Sequence, residues 1–477
     1  MDQDVVGENL VLPSVKDVLK PAVGPSSSHT LGPMRAGLEF RRRLLSRSEH
    51  EPDERISVTL YGSLAHTGKG HLTDLAVVAG LCGYGPEDFS DRSMSSLYQE
   101  IDATGVLLLP DFALVFLPRS DIVFDKETPP EPHPNTLRFA LLDRTGRIRR
   151  SDVFCSIGGG LVVDASKLDR VEDAIPERQA SARAIIRSCM SDGRTLVDYA
   201  AEMERSEYGH SRTEILDHLH MTWTLMRRAI DRGLEARGTL PGPLRVERRA
   251  RDLWKRWHER SRTVTLSVES TRASIYAIAV AEENADGGAV VTAPTCGSAG
   301  VVPACLRMMQ ECRGCSDEEI LEGLWVAGII GGLAIAKASI AGALVGCQGE
   351  IGVASAMAAG AVCHLLGGSV MDQIDRAAET ALEHFLGLTC DPVAGLVQIP
   401  CIERNAAGAA SALNAANLAM LSGGRDRVSF DATLEVMHQT GLDLRSRYKE
   451  TALGGLAAVP DLDRDGVPDI SNDVTAM

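Results

Sequence analysis

Large aromatic side chains are scarce in this sequence. Phe, Trp and Tyr make up 4% of its 477 residues, whereas glycine alone contributes 45. A core short of big rings has to be built from backbones that approach closely. Positive charge is also short: 49 Lys and Arg face 65 Asp and Glu, for a net charge of −16. No basic stripe is available to neutralise phosphates, which argues against a nucleic-acid partner. The N-terminus, MDQDVVGENLVLPSVKD, lacks both the basic and the apolar region of an export signal. The expectation is a cytoplasmic protein whose 11 cysteines are thiols or metal ligands rather than disulfides. No internal repeat recurs at a fixed period. One stretch, LWVAGIIGGLAIAKASIAGALVG (324–346), is long enough to span a bilayer. Lys337 near its middle would be costly in lipid, so a buried helix pair and no membrane are expected.

What is present changes character along the chain. RISVTLYGSL (55–64) alternates like a strand, VLLLPDFALVFLP (106–118) reads as two strands broken at Pro110, and 136–160 reads as a hairpin around DRTGR. LTDLAVVAGLCG (72–83) reads as a helix stopped by glycine. From about 171 the spacing is helical and strand signals nearly vanish. The fold class is therefore α+β: an α/β-sandwich-like domain over 1–170, a linker over 171–190, a mostly α-helical domain over 191–456, and an acidic tail over 457–477.

Several stretches carry chemistry. In GPSSSHT, Ser26, Ser27, Ser28, His29 and Thr30 gather hydroxyls and one titrating ring just before a helix start, where free amides favour a carboxylate or phosphate. An elaborate N-cap is the plain alternative. YGSLAHTGKGHLTD places His66, Lys69 and His71 among glycines at a strand-to-helix turn, as acid, base or anion clamp, or simply as solvated side chains. VVTAPTCGSAGVVPACL holds a sharp turn with Cys296, which has no histidine partner at a recognisable spacing. Cys347 in GCQGEIG, Cys390 in TCDPVAG and Cys401 in IPCIERN each adjoin a glycine or proline. Three such thiolates can hold three irons of a cubane cluster and leave the fourth open, the mark of a catalytic metal. They can equally be buried structural cysteines. CRGC (312–315) reads as an incidental surface connection. DLDRDGVPD (461–469) imitates the start of a calcium loop, but the twelfth position is Asn472, so a solvated acidic tail is expected.

Together these motifs resemble the bacterial iron–sulfur L-serine dehydratases. The likeness runs through GPSSSHT, YGSLAHTGKGH, SIGGG, LPGPLRVERRA, AVAEENADGGAVVTAPTCG, GCQGEIGVASAMAAG, CDPVAGLVQIPCIERNA and YKETALGGLA, nearly the whole chain. It implies a beta-type domain and a helical alpha-type domain in one chain, and a homodimer of that chain. It implies a 4Fe–4S cluster on Cys347, Cys390 and Cys401, with the open iron acting as Lewis acid while L-serine eliminates water to an aminoacrylate that tautomerises and hydrolyses to pyruvate and ammonia. It assigns the serine carboxylate to Ser26, Ser27, Ser28, His29 and Thr30, with Thr295, Gly297 and Ser298 joining the expected substrate-binding set. His71 is the first candidate base, followed by Lys69; His29 joins the candidate catalytic set, and His66 stands behind them. Three departures stand out. Members often end in a cysteine that reaches the fourth iron, and no cysteine follows Cys401 here. Ala341 and Leu344 replace a serine and a glutamate before Cys347, and Ala281 replaces a frequent asparagine. These keep open a relative acting on another β-hydroxy or β-substituted amino acid. Two other classes compete: a pyridoxal-phosphate enzyme using Lys337, and an amino-acid sensor without a cluster.

Overall fold

A computed structural model describes residues 12–47, 51, 53–89, 94–168, 181–264, 267–369, 372–422, 428–451 and 453–459. The calcium-loop-like segment 461–469 and the acidic tail from 460 onward lie outside the described residues.

The first region is a two-layer α/β unit. Strand β1 (Pro21–Val23) leaves for another partner, described below. The sheet is built from β2 (Arg55–Tyr61), β3 (Val106–Leu108), β4 (Ala113–Val115), β5 (Ile122–Asp125), β6 (Thr136–Leu142), β7 (Ile148–Gly158) and β8 (Leu161–Asp164). Its order is β3-β4-β2-β6-β7-β8, and β5 also pairs with β2, parallel, over Val58–Tyr61. The strands β6 and β7 form the expected hairpin: Asp143 accepts from the amides of Thr145 and Arg147 and closes the turn. The helices Gly32–Leu45 and Thr73–Cys82 cover one face. Their backbones nearly touch, since a Cβ on Gly80 would lie 2.0 Å from the Met34 carbonyl oxygen. The second helix ends on Gly83 in the left-handed region, as its glycine predicted.

The second region is mostly helical and packs around Asp317–Lys337 and Val353–Leu365. Both are apolar on nearly every side, the pattern of a helix buried all round. The Asp317–Lys337 helix is long and apolar enough to cross a membrane by length and composition, yet most of it is buried against the rest of the chain. The stretch 324–346 is thus not a pair of full helices. It is one long helix, a break containing Ser339 at φ 117, and the four-residue helix Gly342–Val345. Within 171–190, expected as linker, residues from Ala182 onward form a helix. Ser181 caps it, and the Asp431 carboxylate accepts from the amides of Ala182 and Arg183.

Two of the contacts between the regions position the site. Residues Leu12–Leu19 lie in the helical core, where a Cβ on Gly328 would meet Val15 at 2.5 Å. Strand β1 pairs antiparallel with β9 (Ala289–Val291), register Pro21↔Val291 to Val23↔Ala289. That ladder sets GPSSSHT beside TAPTCGS.

Candidate active site

Past β1 the chain makes one widened π turn, Ser27–Leu31, before the Gly32–Leu45 helix. Such turns concentrate at functional sites. Hydroxyls fix it. Ser26 Oγ caps the turn by accepting from the His29 amide at 3.2 Å. Thr30 Oγ1 accepts from the Ser26 amide and donates to the His71 carbonyl at 2.6 Å. Ser27 Oγ accepts from the Cys296 amide at 2.9 Å, and Ser156 Oγ donates to the Ser28 carbonyl at 2.8 Å. Of the expected cradle, Ser26 lines a cavity between the two regions. The Ser27 and Thr30 hydroxyls are engaged inside the wall, and Ser28 is half-buried.

The rings of His29 and His71 stack behind Ser26 with centroids 4.5 Å apart. His71 Nδ1 lies 2.9 Å from the Thr67 carbonyl. A carbonyl only accepts, so Nδ1 carries the proton and Nε2 is bare. That Nε2 is buried without a partner, and His71 lines the cavity. Burial pushes the His71 pKa down to about 4, so the ring is neutral at pH 7. His29 Nε2 meets Ser63 Oγ at 2.8 Å, and its buried Nδ1 has no hydrogen-bond partner. Burial, and His71 beside it, hold its pKa well below the usual value. Lys69 does not join them. It is 67% exposed, pairs with Asp74 at 2.6 Å and lies over the Phe124 ring. His66 is exposed.

The opposite wall carries the cysteines. Gly346, at φ 76, turns the chain into Cys347, which opens a second π turn, Gln348–Gly352. Cys390 is clamped by backbone: its N–H donates to the Tyr448 carbonyl and its carbonyl accepts from Glu450, both at 2.8 Å. Cys401 starts the Cys401–Leu421 helix. All three cysteines are buried, free of disulfides, and line the same cavity. The Cys347 and Cys390 sulfurs and a Glu350 carboxyl oxygen lie within 4.8 Å of one another. A hydrogen bond to Cys347 and burial push the Cys390 thiol well up; burial, then Cys347, do the same to Cys401. Burial raises Glu350 although Thr295 Oγ1 donates to it at 2.8 Å. Burial, then Glu350, push Glu450 up to about 8.

Acids crowded in this way want a cation. Arg404, one turn past Cys401, is turned away, donating to the Thr389 carbonyl at 2.7 Å and to Asp391 at 2.8 Å. Its charge still favours the ionised forms of Cys401 and Glu350, and three convergent, unbridged soft thiols are a donor set that fits an iron–sulfur cluster.

The TAPTCGS turn closes one side. Gly297 lines the cavity, and a Cβ there would lie 2.9 Å from Glu350 Oε1. Thr295 stands behind Glu350, and the buried Ser298 hydroxyl donates to the Ala293 carbonyl at 3.1 Å. Asn405 donates to the carbonyls of Gly297 and Cys401, tying the turn to the cysteine helix. Cys296 is buried outside the cavity lining. Cys312 is exposed in the last turn of the Val301–Arg313 helix. Lys337 ends its helix paired with Asp431 at 3.1 Å, away from the lining residues. Ala281, Ala341 and Leu344 do not line the cavity either. Sequence reasoning missed Glu350 and Glu450 as site residues. Both sit inside quoted motifs, GCQGE and YKETALGG, and Glu450 carries a further mark in its φ of 59.

Comparison with known proteins agrees with this architecture. The serine dehydratase beta chain family matches residues 14–167, and the serine dehydratase alpha chain family matches residues 170–457. A protein named L-serine dehydratase from Haemophilus influenzae is 39% identical over 454 residues, covering 93% of this chain and 98% of that one. L-serine dehydratase 2 of Escherichia coli is 41% identical over 451 residues, with the same shares. An L-serine dehydratase of Streptomyces coelicolor is 41% identical over 453 residues, again covering 93% and 98%. The chain belongs to the serine dehydratase family, with regions matching its beta and alpha chains joined in one polypeptide.

Proposed function

We propose that this protein is an L-serine ammonia-lyase that converts L-serine to pyruvate and ammonia. The observation that carries the reading is the bare Nε2 of His71 in the same cavity as Cys347, Cys390 and Cys401. Serine must lose a proton from Cα and hydroxide from Cβ, and hydroxide leaves poorly. A 4Fe–4S cluster on the three cysteines supplies, when bound, a Lewis-acidic iron for that oxygen. His71 takes the Cα proton on Nε2. It is ready to do so because Nδ1–H is already committed to Thr67 and burial keeps the ring neutral. His29 stacks on His71 and is held by Ser63, which fixes the plane of the base. Ser26 Oγ, which accepts from the His29 amide, still has its own O–H to donate to the substrate carboxylate. The aminoacrylate left behind tautomerises and hydrolyses without further help. Lys69, in its surface ion pair, has no step in this scheme.

The reading includes a division into a beta-type domain (1–170) and an alpha-type domain (191–456), and a cytoplasmic homodimer. The test is on protein purified without oxygen. Its iron and sulfide content and visible spectrum are recorded, then L-serine is added and pyruvate is assayed. A brown protein that makes pyruvate supports the reading. A protein that stays iron-free after reconstitution overturns the cluster, and a brown one that leaves serine untouched overturns the substrate.

A further inference from the structure

Glu450 takes no part in the elimination just described, yet the chain goes to some trouble to place it. Its φ of 59 puts a non-glycine residue in the left-handed region, a conformation that persists only where the surroundings impose it. The surroundings here are the Cys390 clamp, which holds the backbone on both sides of Lys449. From that anchor the carboxyl enters the cavity, with Oε1 3.8 Å from His29 Nδ1. A Glu450 carboxyl oxygen and one ring nitrogen each of His29 and His71 lie within 4.8 Å of one another. His29 Nδ1 and His71 Nε2 are buried without a hydrogen-bond partner. Among the described residues, those lining the cavity include no lysine or arginine.

A buried carboxyl, the bare His71 Nε2 and a His29 Nδ1 that accepts when Nε2–H donates to Ser63, with no lysine or arginine in the wall, make a receptor for a small group rich in N–H donors. An α-amino acid brings one. Its ammonium has three N–H donors, and acceptors about 2.8 Å from the nitrogen in tetrahedral directions stand ~4.6 Å apart. The ammonium nitrogen and the acidic hydrogen share Cα, so the acceptors that serve them have to be neighbours. We propose that Glu450, with His29 Nδ1 beside it, receives the substrate α-ammonium and so selects α-amino acids over the matching 2-hydroxy acids. His71 Nε2 is left facing the Cα hydrogen, and the Cβ hydroxyl points to the cysteine wall. Glu350 is the poorer receptor, because Thr295 and Cys347 take both of its oxygens, whereas the Glu450 carboxyl accepts one backbone bond, from Ala343. The proposal rests on the serine ammonia-lyase reading above and adds the residue that recognises the amino group.

The experiment compares wild type with Glu450→Gln, both as iron-loaded enzyme purified without oxygen. L-Alanine and L-lactate differ only in ammonium against hydroxyl, and neither has a Cβ leaving group. Each is measured as a competitive inhibitor of pyruvate formation from L-serine. Wild type should prefer alanine by tenfold or more. Glu450→Gln keeps the size and hydrogen-bonding capacity of the side chain, so it should raise KM for serine and the inhibition constant for alanine at least tenfold. The lactate constant should stay within twofold, and iron content should not change. Equal weakening of alanine and lactate would mark Glu450 as merely structural and overturn the proposal. A preference kept in the variant, or absent from wild type, overturns it too. If wild type makes pyruvate, either result sinks the proposal alone. A loaded wild type that leaves serine untouched sinks the ammonia-lyase reading and the proposal with it.

Discussion

Two π turns border the cavity, and they are built alike but finished differently. Ser27–Leu31 and Gln348–Gly352 each run straight into an α-helix. In the first, the side chains have found their partners inside the protein: Ser26, Ser27 and Thr30 all hold backbone groups. Buried bonds of this kind contribute about 1 kcal/mol each, and their loss leaves an unpaired group that costs more. In the second, Cys347 and Glu350 crowd against Cys390 and Glu450, and burial disfavours charge on the carboxyls. Burying such groups without a counter-charge is unfavourable. The first wall is a finished scaffold that orients histidines. The second is arranged around guests that bring positive charge.

The strongest way to break this comparison is Cys390→Ala. Two thiols cannot hold what three do, so iron content and pyruvate formation should both collapse, with activity falling roughly a thousandfold or more. The first wall should survive: it makes no bond through the Cys390 side chain, and the Cys390 clamp is backbone. Circular dichroism and thermal unfolding of the metal-free forms should therefore match wild type. A variant that retains its iron would show that Cys390 is core filler.

The complementary change is His71→Asn, which removes the bare nitrogen while leaving an amide able to donate to the Thr67 carbonyl. Loss of a general base predicts kcat lower by roughly 10²–10⁴-fold with KM little changed. Iron content should equal that of wild type. A parallel loss of iron would mean that the two walls are not independent.

Much of the scaffold was legible in the sequence because it depends on local signals. The DRTGR turn, the Gly83 stop and the alternation in 55–64 each act within a few residues; the first two appear where expected, and the strand ends at Tyr61, where a helix starts at Gly62. The three cysteines were legible through their glycine and proline neighbours and through resemblance. What local signals could not rank were His66, Lys69 and His71, which share six positions of one motif. Their separation arises from the turn at 68–72, which faces one ring inward and sends Lys69 out to Asp74. The helix at Ala182–Asp192 was hidden for a different reason. Its first amides are satisfied by Asp431, some 250 residues away in the chain. Glu450 was hidden likewise, because its role depends on a backbone clamp to Cys390.

A second crowd of buried carboxyls serves as a control for the cysteine wall. On the Gln373–Glu383 helix, Glu379 is buried and one turn from Glu383, and its carboxyl meets Thr380, Thr433 and the Glu383 carboxyl. Burial, then Glu383, push its pKa up to about 7, against about 4.3 for an unperturbed glutamate. Between those values the folded chain binds more protons than the unfolded one. Stability therefore falls as pH rises through this window, and the contribution present below pH 4 is gone above about 7. Glu379→Gln removes the penalty. At pH 8 it should raise Tm by on the order of 2 °C, at pH 5 by less, and pyruvate formation should be unaffected at either pH. Glu450→Gln should do the opposite, impairing substrate recognition whatever it does to Tm. If Glu379→Gln instead lowered Tm at pH 8, its carboxylate would be a stabilising partner and not a strained one. Crowded carboxyls would then not by themselves mark a place waiting for a cation.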